Sequence, residues 1–234
     1  MQESAADCPV PVPPTSRLLQ MGVYGSWALC LFLVGFFLPP LLENNNVATP
    51  ELDRVKLPRP EPLMEFSLEE VGGDNNPGTY TRARLTGQWT LLYFGYANCP
   101  NVCSSAVDVL AEVSKKRNAA PHPATRTALV FVTLDPSRDT PAALRRFLGR
   151  TDAEFTALRG SEKQIARLAQ QLGILHTLGP VDAQGGYLID HPATILLIDP
   201  SAELRAGFAM PRDANQIIEL MSEIETDYLA VKKG

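Results

Sequence analysis

The run "WTLLYFGY", residues 89–96, carries no charged side chain and does not alternate polar with apolar, so as extended chain it must be covered on both faces. A strand of that kind belongs in the middle of a sheet with helices packed on either side. Two further runs repeat the signature, "TALVFVTLD" at 127–135 and "ATILLID" at 193–199. Between them lie segments whose apolar residues recur at helical spacing. The alternation points to an α/β domain.

The boundaries of these elements are written in their capping residues. Residues 104–117 place Val107, Leu110, Ala111 and Ser114 on one helical face and end on Lys115, Lys116 and Arg117, cations that suit a helix C-terminus. "SRDTPAALRRFLGR" opens a second helix with Thr140 as N-cap and Pro141 in its first turn. "SEKQIARLAQQLGI" is amphipathic, opened by Ser161 and closed by Gly173. Upstream, "MEFSL" and "TYTRARL" read as a hairpin joined by "GGDNNPG"; downstream, "ELRAGFA" pairs with the 193–199 strand, and a long helix capped by Asp213 closes the chain. The plan is a thioredoxin-like fold, a central mixed sheet flanked by helices with an N-terminal β-hairpin, over residues 63–234.

The segments before that domain are different. Residues 18–42 contain no Asp, Glu, Lys or Arg, and "MGVYGSWALCLFLVGFFL" approaches the ~20 apolar residues that a helix needs to cross a bilayer. The apolar stretch is too long for a secretory signal and no small-x-small cleavage site follows it, so it is expected to remain as a transmembrane anchor after a tail of residues 1–17. Cys30 follows Leu29 rather than a small residue, a poor context for lipid attachment. Residues 43–62, "ENNNVATPELDRVKLPRPEP", hold four prolines and are expected to form a stiff, Pro-rich linker. The net charge of -5 and the absence of a long basic cluster exclude a nucleic-acid partner.

Function concentrates in "YFGYANCPNVCSSAV", where Cys99 and Cys103 stand in the turn from the first buried strand into a helix. There, backbone N–H groups and the helix dipole favour thiolates. The pair can be a disulfide, a redox couple or half of a metal site. Of the three histidines, His122 sits in a Pro-flanked loop and reads as a surface residue, and His176, after the third helix, reads as a structural residue or an alternative ligand. His191 immediately precedes the strand at 193–199, which should lie beside the thiol-bearing strand. Two thiolates and an imidazole suit Cu(I), and Cu(II) if a further ligand or water joins; a structural zinc would demand a fourth protein ligand.

At these residues the chain resembles the Sco/SenC family of membrane-tethered copper proteins. The likeness runs from Leu63 to the C-terminus and includes "LLYFGYANCPNVC", "VTLDPSRDTP", "ALRGSEKQIARLAQQLGI" and "YLIDHPATILLIDP". It implies copper held at Cys99, Cys103 and His191, and delivery to, or support of, the copper-containing subunit of cytochrome c oxidase together with other assembly factors. It also implies a cytoplasmic tail and a domain in the periplasm, on the outer side of a bacterial inner membrane. The chain departs from the family at Asn101, where Asp is usual, at Ser104, where Pro is usual, and at Pro192, where a small hydroxyl residue is more common. Losing the Asp removes a negative charge beside the metal. Pro192 raises the expectation of a cis His191–Pro192 bond.

A competing class is a membrane-bound thiol-disulfide oxidoreductase working through Cys99 and Cys103 on the oxidase subunit or another periplasmic protein. Three residues between the thiols instead of two, and a histidine without a task, speak against it. A peroxidase fits less well still, and a scaffold with a vestigial site is the plainest alternative. Asp135 and Asp139 are expected to form turns or caps, and Asp190 to orient the His191 loop. Met64 and Met210 are expected to pack, and Tyr93, Phe94 and Tyr96 to wall the site.

Overall fold

The computed structural model describes residues 55–71, 78–119 and 127–233. The tail at 1–17, the expected anchor at 18–42, linker residues 43–54 and His122 lie outside the described residues. Among the described residues no helix is long and apolar enough to cross a membrane.

The strands are β1 (Lys56–Pro62), β2 (Ser67–Glu70), β3 (Gly78–Thr81), β4 (Trp89–Gly95), β5 (Thr127–Thr133), β6 (Phe155–Arg159), β7 (Thr177–Leu178), β8 (Ile189–Asp190), β9 (Thr194–Ile198) and β10 (Glu203–Ala209). The helices are α1 (Val102–Asn118), α2 (Pro141–Leu148), α3 (Glu162–Gln171) and α4 (Ala214–Lys233). Eight strands form one mixed sheet in the order β1-β10-β9-β4-β5-β6-β2-β3, and β7 and β8 pair by themselves. β4, β5 and β6 run parallel, joined through α1 and α2; β9 lies antiparallel to β4 on its other side.

The apolar run at 89–96 supplies the central strand, β4. All seven residues of β4 are buried, and Leu91, Leu92, Tyr93 and Phe94 are fully so. Burying each such side chain stabilises the fold by roughly 1.5–3 kcal/mol, which fixes the strand's position between β5 and β9. The caps also form as expected. Thr140 Oγ1 accepts from the Ala143 N–H, Ser161 and Gln164 make a reciprocal capping box, and Asp213 does the same with Gln216. Gly173 follows α3 at φ +71°, where the Gly173 and Ile174 N–H groups donate back to Gln170 and Ala169.

Three expectations need correction. Lys56–Pro62, assigned to the linker, is strand β1 on the edge of the sheet, paired antiparallel with β10 through an irregular register. Its three prolines are compatible because an edge strand needs only one hydrogen-bonded side. The hairpin forms as β2 and β3, but the end of "TYTRARL" turns into a 3-10 helix at Arg82–Leu85. The His191–Pro192 bond is trans, the cis bond among the described residues being Met210–Pro211. The turn after His191 is closed instead by the Thr194 N–H donating to the Pro192 carbonyl.

The basic end of α1 is not wholly solvated. Arg117 is buried, donates to Thr127 Oγ1 at 2.7 Å and pairs with Glu225 of α4 at 2.5 Å, tying two helices to the start of β5.

Candidate metal centre

Topology decides which residues meet. β4 runs out at Gly95, the chain turns through residues 96–101, and α1 begins at Val102, so Cys103 lies in the first turn of the helix. β9 pairs antiparallel with β4, Tyr93 opposite Ile195, so the residues just before β9 lie beside the end of β4. His191 is thereby delivered to the thiol turn. Its Nε2 stands 3.8 Å from Cys103 Sγ.

The thiol turn is held from several sides. The Cys99 N–H donates to the Tyr96 carbonyl, and the Cys103 N–H donates to Cys99 Sγ at 3.4 Å. Asp139, fully buried, accepts from the Ala97 N–H at 3.0 Å and from the Thr133 hydroxyl at 2.6 Å. Burial raises its carboxyl pKa, and those two donors oppose the rise. Asp139 is therefore the clamp on the first half of the turn. Asp135 is different: it accepts from the Tyr187 hydroxyl at 2.9 Å and pairs with Arg138, whose guanidinium lies 3.5 Å over the Tyr187 ring. Asp135 forms a turn, as expected, accepting from the Arg138 N–H, whereas the Asp139 carboxylate is neither turn nor cap but a long-range clamp, and each fastens one side of the site.

The histidine is oriented by a single carbonyl. Nδ1 lies 3.1 Å from the Pro192 oxygen, which can only accept, so the ring proton sits on Nδ1 and the Nε2 lone pair faces the sulfur. Tyr93 and Tyr96 present their rings edge-on, with centroids 6.3 and 6.2 Å from the imidazole. Burial lowers the His191 pKa, keeping the ring neutral. Tyr96 adds a tether, its hydroxyl accepting from the Ile189 N–H at 3.2 Å.

The two sulfurs differ. Cys103 is fully buried and Cys99 half-exposed. A hydrogen bond from the Cys103 thiol pulls the Cys99 pKa down to about 6, assisted by the Cys103 and Asn101 N–H groups and opposed by desolvation. Cys103 shifts the other way, because it keeps its proton for Cys99 and is desolvated. Cys99 is the readier thiolate and Cys103 the thiol that keeps its proton.

Bonds of about 2.3 Å to sulfur and about 2.0 Å to nitrogen let one ion bridge atoms 3.8 Å apart, so the Cys103–His191 pair fits a soft cation. Among the described residues no three His, Cys, Asp or Glu side chains are yet grouped tightly enough to hold a metal.

Other candidates fall elsewhere. The β7–β8 register, Thr177 opposite Asp190, carries His176 to the position across from His191, and the half-exposed His176 weakly depresses the His191 pKa. Asp190 is exposed on β8. Met64 is exposed instead of packed, whereas Met210 does pack on the core. Phe94 lies on the sheet face opposite Tyr93 and Gly95 by strand alternation, so it supports the core rather than the site. Asn101 precedes α1 without a side-chain cap, and Ser104 offers its carbonyl to Arg150.

One residue went unrecognised in the sequence. A Cβ on Gly95 would lie 3.0 Å from Tyr93 Cε1, 3.1 Å from Phe131 Cε2 and 3.2 Å from Cys103 Sγ. The missing side chain admits the sulfur to the end of the sheet. The signal was a glycine closing an apolar strand just before the thiols.

A family model described as SCO1/SenC matches residues 64–225. The mitochondrial SCO2 homolog of Mus musculus is 33% identical over 156 residues, 66% of this chain and 59% of the relative. The chain spans about half to three fifths of the length of the curated relatives it matches first. Among solved structures, copper-bound ScoI of Arabidopsis thaliana gives a TM-score of 0.63 at 24% identity, covering 70% of this chain and 98% of that one. Copper-bound ScoI of Bradyrhizobium japonicum gives 0.59 at 27% identity, covering 70% and 97%. The mixed sheet flanked by helices is thus the thioredoxin-like fold of Sco proteins.

Proposed function

The chain belongs to the SCO1/SenC family, and from that premise we propose that it is a membrane-anchored copper chaperone holding one copper ion through Cys99, Cys103 and His191. Its cargo is delivered to, or supports assembly of, the copper site of cytochrome c oxidase, on the periplasmic side of a bacterial inner membrane. The observation that carries the ligand set is the Nε2 lone pair aimed at Cys103 Sγ across 3.8 Å, with Nδ1 engaged by the Pro192 carbonyl. The anchor rests on the charge-free run at 18–42.

Near neutral pH Cys99 is largely ionised and His191 neutral, so uptake of the cargo chiefly displaces the Cys103 proton. Cys99, in the same turn as Cys103, supplies the third ligand. Release is ligand exchange, begun at the ligand that can leave without disturbing the fold.

Anaerobic Cu(I) titration of the chain tests this. We expect one equivalent in the parent and loss of stoichiometric binding in Cys99→Ser and in Cys103→Ser; unchanged binding in both variants overturns the ligand set.

A second reading, a thiol-disulfide oxidoreductase, is favoured by the split between a half-exposed Cys99 with its pKa near 6 and a buried Cys103. His191→Ala separates the two, since it should weaken copper retention by at least about tenfold and leave reduction of a disulfide substrate nearly intact. Lost disulfide reduction with intact copper retention would favour the oxidoreductase.

A further inference from the structure

Tyr93 presents a poorly satisfied polar atom at the centre of the site. The residue is fully buried in β4, and among the described residues its hydroxyl makes no hydrogen bond of good geometry, the group it faces being Cys103. Buried hydroxyls are ordinarily paired, so one that is not calls for a physical reason. Its position supplies one. The Tyr93 ring edge and Cys103 Sγ converge on the space left by Gly95, 3.0 and 3.2 Å from a Cβ built there, and the ring lies edge-on to His191.

A protonated thiol is a weak acceptor, which leaves the phenol without a good partner beside Cys103. A thiolate is a charged acceptor and takes up such a donor strongly. Resting on the copper reading above, we propose that the Tyr93 hydroxyl donates to the Cys103 sulfur once that sulfur is a metal-bound thiolate. The tyrosine is a positioning residue: it withdraws electron density from one ligand and so sets how tightly each oxidation state of the cargo is held. Hydrogen bonds to a coordinating sulfur tune metal sites in this way. The other tyrosine at the site serves the other sulfur: the Tyr96 hydroxyl accepts from the Ile189 N–H and its own proton is directed to Cys99.

The test is Tyr93→Phe in the full chain, which keeps the ring and removes only the hydroxyl. Cu(II) and Cu(I) titrations should still give one ion per chain. Without the donor, Cys103 sulfur is more electron-rich, so the sulfur-to-Cu(II) charge-transfer absorption should move to longer wavelength and the Cu(II)/Cu(I) potential should fall. In the parent, the Tyr93 hydroxyl proton should move downfield in the NMR spectrum on loading with Cu(I). Identical absorption and potential in the two copper-loaded chains would overturn the tyrosine's role and leave the ligand set standing. Complete loss of copper by a folded Tyr93→Phe chain would also overturn it, since a tuning donor modulates the ion and does not hold it. Failure of both chains to bind copper would remove the ligand set and this inference together.

Discussion

The two halves of the site are built to different standards. The thiol turn grows from the central strand: Cys103 is fully buried, Gly95 gives it room, and the buried Asp139 carboxylate holds the Ala97 N–H and Thr133 hydroxyl. The histidine loop hangs from β7 and β8, two residues each, on an arm that exposes Leu175, Leu178, Val181 and Leu188. What secures the loop to the body is the buried Ile189 side chain with a short set of further contacts: the Tyr96 hydroxyl to the Ile189 N–H, Tyr187 to Asp135, and Arg138 stacked on Tyr187. On the proposed ligand set, the thiol pair is therefore preorganised and the imidazole adjustable. A protein that must both take up and surrender an ion benefits from that division, because the adjustable ligand can leave without unfolding the rest.

The largest effect expected from this contrast is on the thiol side. Asp139→Ala leaves the Ala97 N–H and Thr133 hydroxyl without their partner in a buried place, which should cost about 3 kcal/mol of stability. Urea unfolding at constant slope measures it. Asp139→Asn should cost less, since an amide oxygen still accepts one of the two bonds. A loss below about 1 kcal/mol for the alanine variant would mean that the turn is held by something other than this clamp.

On the histidine side stability and metal retention should separate. Tyr96→Phe removes the acceptor of the Ile189 N–H and should cost only about 1 kcal/mol, yet loosen a loop that carries a ligand. Copper retention against a competing Cu(I) chelator is expected to weaken by about tenfold. If stability fell as far as in Asp139→Ala while copper retention stayed unchanged, the loop would be part of the rigid scaffold and the contrast would fail.

How much of this could be read from residues follows from the same physics. Central elements announce themselves because burial on both faces forces apolar runs, and "WTLLYFGY" and "ATILLID" sit side by side as β4 and β9. Caps are equally visible, since Thr140, Ser161 and Asp213 act on residues three positions away. Adjacency of His191 to the thiols was legible because antiparallel pairing of β9 with β4 carries the preceding loop there. Edge and long-range features were not. β1 lacks any alternation because most of it is exposed, and its prolines disguise it as linker. Asp139 reads as a cap until the fold brings Ala97 to it across 42 positions. The Gly95 contact depends on three side chains meeting at one point, which no local pattern records.

The smallest effect tests the exposed arm itself. Leu178 is 67% exposed and stands on a two-residue strand, so folding removes only a minor part of its side chain from water. Leu178→Ser should therefore change unfolding free energy by no more than about 0.5 kcal/mol, read as a thermal midpoint within a few degrees of the parent. Leu91→Ala, in the fully buried central strand, provides the opposite limit and should cost about 2–5 kcal/mol. A loss above about 1 kcal/mol for Leu178→Ser would show that the arm packs more firmly than its exposure indicates. Any freedom of His191 would then have to lie in the loop itself and not in the arm, and Tyr96→Phe would become the sharper of the two variants.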